Sequence, residues 1–254
     1  MRAVMLMAVV GLCHGCSVDP PVGPSGELPP ADLRVLFIGN SLTYTYDVPA
    51  IVQALADRAG RSMSHGTIAY PNYALEDHWN AGVAQEIQRL KADVVVMQQG
   101  PSSLPESRVD LITWSGRIAE AVRAAGGEPA LYMVWPDASR TFAFGAVHDS
   151  YLAAATAVNG KFIPAGSAWL EVWSRDAAAQ LYAPDGLHQS YLGAMVAAHT
   201  IYAVLFDADP LLTPALNSNI PAETLDLVRV SVKASLEAEA LVAPAAASRD
   251  RRLP

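Results

Sequence analysis

The most restrictive feature of this chain is an alternation. Short apolar runs at 34–38, 66–69, 93–98, 130–135 and 161–164 are separated by longer stretches whose apolar residues fall at helical spacing. The runs at 93 and 130 are rich in valine or aromatics, as buried parallel strands are. Helical periodicity covers 48–59, which stops at Gly60, then about 76–90, 109–125, 145–158, 190–206 and finally 222–242. Parallel strands cannot be joined by a tight turn; each pair needs a crossover, normally a helix, and the crossovers share one hand. The pattern therefore predicts an α/β fold: an open five-stranded parallel sheet with helices on both faces, giving three α/β/α layers. Such sheets bind ligands beyond the carboxyl ends of their strands. The residues that follow each strand are where chemistry is expected.

With 254 residues, the chain can bury one large core or two small ones. Its 52% hydrophobic and 17% charged content is that of a globular protein. A formal charge of −8 argues against a nucleic-acid partner, which requires a basic face. No repeat at solenoid spacing is apparent.

The N-terminus reads as a targeting segment. Arg2 precedes an apolar run over 3–12, about half the ~20 residues of a spanning helix, so a signal peptide is expected over 1–16. It ends in Leu12-Cys13-His14-Gly15-Cys16-Ser17. A cysteine preceded by glycine here resembles the bacterial lipoprotein signal, which implies lipidation of Cys16 as the first mature residue. Cys13 stands where that signal usually has leucine. An exported protein is expected, lipid-anchored to a bacterial membrane or otherwise periplasmic or secreted.

Both cysteines lie in this segment. Ser17 after the second cysteine rules out haem attachment, and no further ligands follow for a zinc site. Cleavage at Cys16 leaves no internal disulfide, so the core alone must hold the domain. Residues 17–32, rich in Pro, Gly, Ser and Asp, are expected to be a flexible linker. The domain is expected over 33–243, and an Ala/Arg-rich disordered tail over 244–254.

Two distant segments carry the chemistry. Gly39-Asn40-Ser41-Leu42-Thr43 follows the first strand, and Asp185-Gly186-Leu187-His188 lies near the end. Together they offer a nucleophile, a general base and a carboxylate to orient that base, the minimum for serine acyl transfer. Backbone N–H groups near Ser41 could face a developing oxyanion. The Gly-x-Ser-x-Gly elbow is absent, since Thr43 stands at its second glycine. Taken singly, each segment also reads as turn chemistry. Gln98-Gln99-Gly100 follows the third strand and lands on the same rim.

The order Ser41, Asp185, His188, with Gly-Asn-Ser-Leu-Thr after the first strand, resembles the SGNH/GDSL hydrolase superfamily over roughly 33–206. The resemblance implies a flavodoxin-like sheet and positional roles. Ser41 would attack the acyl carbon, His188 would shuttle the proton, and Asp185 would hold the imidazole. It also implies an oxyanion hole from Ser41, Asn72 and Gln99, with Ser102 as the second choice to Gln99. Asn40 replaces the aspartate of the Gly-Asp-Ser-Leu form, as in carbohydrate-esterase-like branches, and Gln99-Gly100 resembles acetylesterase branches.

The implied activity is hydrolysis of short-chain carboxylic esters through an acyl-enzyme, with O-acetyl groups on carbohydrate as the leading substrate and no metal or organic cofactor. The alternatives are a non-catalytic glycan-binding surface lipoprotein, a lipase or lysophospholipase, or acyl transfer to a sugar. No apolar segment is long enough for a lipase lid.

Remaining candidates have plainer readings. His78 beside Asp77, and His148 beside Asp149, are adjacent pairs that do not face each other on a helix, although His78 could line the site. His65 and His199 are expected to be structural. Among the tryptophans, Trp135-Pro136-Asp137 is the best placed to reach a cleft.

Overall fold

The computed structural model describes residues 26–216 and 221–242. The expected signal peptide with Cys16, the first part of the linker and the 244–254 tail lie outside the described residues. The described end of the linker has no regular structure, yet Leu28 is buried in the core and Ser64 Oγ donates to Pro29 O at 2.6 Å. Packing against the domain thus begins before position 33.

Strands β1 (Leu33–Gly39), β2 (Met63–Ala69), β3 (Val94–Met97), β4 (Glu128–Tyr132) and β5 (Lys161–Ile163) form one parallel sheet in the order β2-β1-β3-β4-β5. This is the three-layer, flavodoxin-like order, with a topological switch point between β1 and β3. Helices α1 (Ser41–Tyr44), α2 (Val48–Arg58), α3 (Leu75–Asn80), α4 (Val83–Leu90), α5 (Pro105–Ala124), α6 (Phe144–Ala157), α7 (Ala165–Arg175), α8 (Tyr191–Phe206) and α9 (Ala222–Val242) complete the chain. One face carries α3–α6, and the other carries α2, α7 and α8, with α9 packed over α7 and α8. Because α8 lies between the sheet and α9, it is apolar almost all round and buried over most of its length.

The sequence pattern and the fold differ in three places. The helix expected over 76–90 is two helices, α3 and α4, because Gly82 takes φ +88° between them. Helix α7 was not among the expected periods; Trp169 and Val172 bury its inner face. The apolar run at 130–135 pairs only to Tyr132, and Met133–Trp135 continue as buried coil into the rim.

Candidate active site

Both candidate segments lie on the carboxyl rim of the sheet. At the end of β1, Asn40 is the N-cap of α1: its Oδ1 accepts from Leu42 N at 3.1 Å. Its Nδ2 donates to Tyr73 O at 3.0 Å, and its Oδ1 also accepts from Gln98 Nε2 at 3.0 Å. An aspartate could accept the same bonds but could not donate to Tyr73, which gives asparagine at this position a physical reason. Capping at Asn40 makes Ser41 the first residue of a helix, so its backbone N–H has no intrahelical acceptor.

The second segment is held by a small antiparallel hairpin. Tyr182 bridges Gln189, Ala183 N donates to His188 O at 2.8 Å, and Gly186 turns the tip at φ +70°. Asp185 Oδ1 accepts from Leu187 N and His188 N, both at 2.9 Å, while Oδ2 accepts from His188 Nδ1 at 2.6 Å. One carboxylate thus closes its own turn and orients the ring three residues on, which explains the Asp-x-x-His spacing. Its bonds to His188 and the Leu187 N–H pull the Asp185 carboxyl down to about 2.

The carboxylate only accepts, so His188 Nδ1 carries the proton and Nε2 keeps its lone pair. Ser41 Oγ donates to that Nε2 at 2.8 Å. Residues 147 positions apart in the chain are therefore in hydrogen-bond contact.

Several further hydrogen bonds tie the hairpin to the rest of the rim, among them Tyr182 Oη to Pro136 O at 2.6 Å. Gln189, fully buried, donates from Nε2 to Leu42 O at 3.2 Å and Thr45 O at 2.8 Å. Trp135 Nε1 donates to Leu187 O at 3.0 Å, and Ala138 N donates to Gly186 O at 2.8 Å. Trp135 does not reach the cleft as expected. It is fully buried and stacked on Trp169 at 3.8 Å between ring centroids, because the coil after β4 passes under the hairpin.

A cleft of about 360 Å³ opens beside Ser41 and is lined by Asn72, Gln99 and Ser102 together with Glu76, Asp110 and Trp114. Asn72 has φ +61°, a left-handed backbone that asparagine tolerates better than most residues. Gln99 is buried; its Oε1 accepts from Leu75 N at 3.1 Å, and its Nε2 donates to Ser102 Oγ at 2.8 Å. The two rival residues of this block are thus bonded to each other. Gln99 keeps one amide hydrogen beyond the bond to Ser102.

Of the remaining histidines, His78 is buried beneath the Gly39–Ser41 turn and does not line the cleft. Its Nε2 donates to Gly39 O at 2.8 Å. His148 lies away from the rim, where its Nε2 meets Glu239 at 2.9 Å and joins α6 to α9. His65 bonds Gln53 at 2.7 Å, and His199 is buried in α8. The sequence reading did not single out Gln98, Gln189 or the support given by Trp135. The signal for Gln98 was a Gln-Gln pair at a strand end, where alternation sends one of two neighbours inward.

No protein-family model matches the chain, and no curated protein matches it. Solved structures do. A DUF4886 family protein from Bacteroides uniformis is 17% identical, with a TM-score of 0.71, over 81% of this chain and 95% of that one. An SGNH-hydrolase-type protein from Slackia heliotrinireducens is 23% identical, with a TM-score of 0.57, over 68% and 98%. A carbohydrate esterase family 3 protein from Talaromyces cellulolyticus is 14% identical, with a TM-score of 0.54, over 69% and 97%. At these identities the likeness establishes the fold, the three-layer α/β/α arrangement of SGNH hydrolases.

Proposed function

We propose that the protein is a serine esterase that hydrolyses short-chain carboxylic esters, with O-acetyl groups on carbohydrate as the preferred substrate. The observation that carries this is the continuous hydrogen-bonded line from Ser41 Oγ through His188 to Asp185, opening on a cleft. Ser41 Oγ attacks the acyl carbon while His188 Nε2 takes its proton, and the carbonyl oxygen becomes an oxyanion. Asp185 holds the ring and stabilises the imidazolium that forms. The Ser41 N–H, the Asn72 N–H and the Gln99 side chain receive the negative oxygen. Collapse expels the alcohol, protonated by His188; water then repeats the cycle on the acyl-enzyme and frees the acid.

The substrate class is supported by the lining. Asn72, Glu76, Ser107 and Asp110 give the cleft hydrogen-bonding groups, and Trp114 offers an aromatic surface. That set suits a hydroxylated leaving group better than a long alkyl chain, which would need an apolar groove. Similarity in fold to a carbohydrate esterase points the same way by analogy.

A fluorophosphonate probe, followed by peptide mapping, tests the nucleophile. Labelling of the folded domain at Ser41, absent in Ser41→Ala, is the expected result, and a folded protein that takes no label would overturn the proposal. Acetylated xylan or acetyl sugars should then be turned over faster than esters of eight-carbon or longer acids. The reverse preference would move the substrate to lipids.

A further inference from the structure

We infer that His78 and Gln98 are positioning residues that grip the two edges of one peptide unit, the Gly39–Asn40 peptide just before the nucleophile, and thereby set the direction of Ser41. This rests on the reading of Ser41 as nucleophile.

The carbonyl of Gly39 accepts from His78 Nε2 at 2.8 Å, and the N–H of the same peptide, on Asn40, donates to Gln98 Oε1 at 2.9 Å. Because a peptide unit is planar, holding its C=O and N–H from opposite edges fixes the orientation of the whole plane. The sheet holds this unit only at its carbonyl edge, where Tyr70 N just past β2 also donates to Gly39 O, at 3.3 Å. Gln98 N donates to Ile38 O at 2.8 Å as the last rung between the two strand ends, and one residue later Asn40 N has no strand partner left. A buried N–H without a partner is costly, and the Gln98 side chain supplies the missing acceptor.

Both grips are themselves fixed. Gln98 is fully buried and uses both ends of its amide: Oε1 accepts from Asn40 N and from Thr43 Oγ1 at 2.8 Å, while Nε2 donates to Asn40 Oδ1 and to Gln99 O. Flipping the amide would set donors against donors. Gly39 must lack a side chain for this to fit, since a Cβ there would strike Thr43 Oγ1 and Gln98 Oε1.

His78, 1% exposed, lies against the rings of Tyr70 and Tyr73 at 6.0 and 5.1 Å. Gly39 O can only accept, so Nε2 carries the hydrogen. Burial pushes the His78 pKa below its ordinary value, which keeps the ring neutral. Its Nδ1 has no partner among the described residues. An apolar ring in this place would avoid that orphaned nitrogen. What the imidazole adds is a directed N–H.

A modest rotation of this peptide would swing Ser41 Oγ away from His188 Nε2. Misplacement of about 1 Å typically costs on the order of 100-fold in rate.

The test uses saturation kinetics of fluorophosphonate labelling at Ser41, with thermal unfolding as the fold control. His78→Phe keeps ring bulk and removes the donor; His78→Gln keeps a donor at the Nε2 position; Gln98→Met keeps length and removes the acceptor for the Asn40 N–H. His78→Phe and Gln98→Met should each lower the labelling rate constant about 10–100-fold, with probe affinity changed by less than about threefold. His78→Gln should recover most of the loss. The double variant should lose less than the product of the two singles, since both act on one peptide. Folded variants that label at the wild-type rate and lose only melting temperature would overturn the inference, as would a His78→Gln no better than His78→Phe. Should Gln98→Met not fold, the two His78 variants decide. Absence of labelling in the wild type would instead overturn the nucleophile reading.

Discussion

At the residue scale, the most exposed member of the candidate triad is also the most strongly perturbed. Asp185 is half exposed, yet its carboxyl is drawn to about 2 because both oxygens accept hydrogen bonds in the folded state. A carboxylate with a lowered native pKa contributes its full effect above the unfolded value, near 4, and loses it as pH falls toward 2. It therefore stays ionised at neutral pH, and it fixes the tautomer that leaves Nε2 free. Asp185→Asn should lower kcat by about 10³–10⁴-fold with little change in KM, because the amide favours the wrong tautomer. Steady-state kinetics on an acetyl ester will check this, and a KM-only effect would assign Asp185 to substrate binding. Gln99→Ala should cost about 3 kcal/mol of transition-state stabilisation if its amide meets the oxyanion. The loss should appear in kcat.

At the element scale, no single strand or helix holds the site. β1 ends in a turn capped by Asn40, and the Asp-His hairpin hangs between α7 and α8. The hairpin is clamped by Trp135 from beneath and by Gln189 from the side. Trp135→Phe should keep most of the stack on Trp169 while orphaning Leu187 O. That should cost about 1–2 kcal/mol in urea unfolding, and kcat should fall as His188 loses its fixed approach to Ser41. Unchanged kcat at that loss of stability would show that the hairpin keeps its own shape. The five strand periods and most helix periods were readable from local patterning; α7 and the break between α3 and α4 were not. The clamp was not, because a tryptophan after a strand carries the same sequence signal whether it turns up to a cleft or down under a loop.

At the scale of the whole molecule, the sheet order places β1 and β3 side by side at the switch point, so the Ser41 turn and the Gln98-Gln99-Gly100 segment share one rim. Packing across the layers leaves one fully buried and one partly buried histidine that tie stability to pH. Burial, with Arg229 nearby, holds His199 down to about 3, and neither ring nitrogen has a partner among the described residues. Between its ordinary value near 6.5 and that low one, the unfolded chain binds a proton that the native state does not. Stability is then complete above about pH 6.5 and declines below it. His148 runs the other way: Glu239 raises its pKa, so its contribution is present in acid and fades as pH rises through the raised value. For His199 the acid loss amounts to about 3 kcal/mol by pH 4. His199→Leu should flatten the acid limb of the urea midpoint between pH 4 and 7, and an unaltered slope would mean that the ring is not what titrates.

The sequence by itself determined the layer architecture and the local turn that joins Asp185 to His188. Helix and strand periods are local and each strand needs its crossover, while Asp185 to His188 is a turn that folds on its own spacing. Only the tertiary structure decided which face each Gln of the 98–99 pair takes, where His78 points and what lies beneath the hairpin. Those depend on groups from segments far apart in the chain meeting at one buried peptide, and no local pattern carries that information.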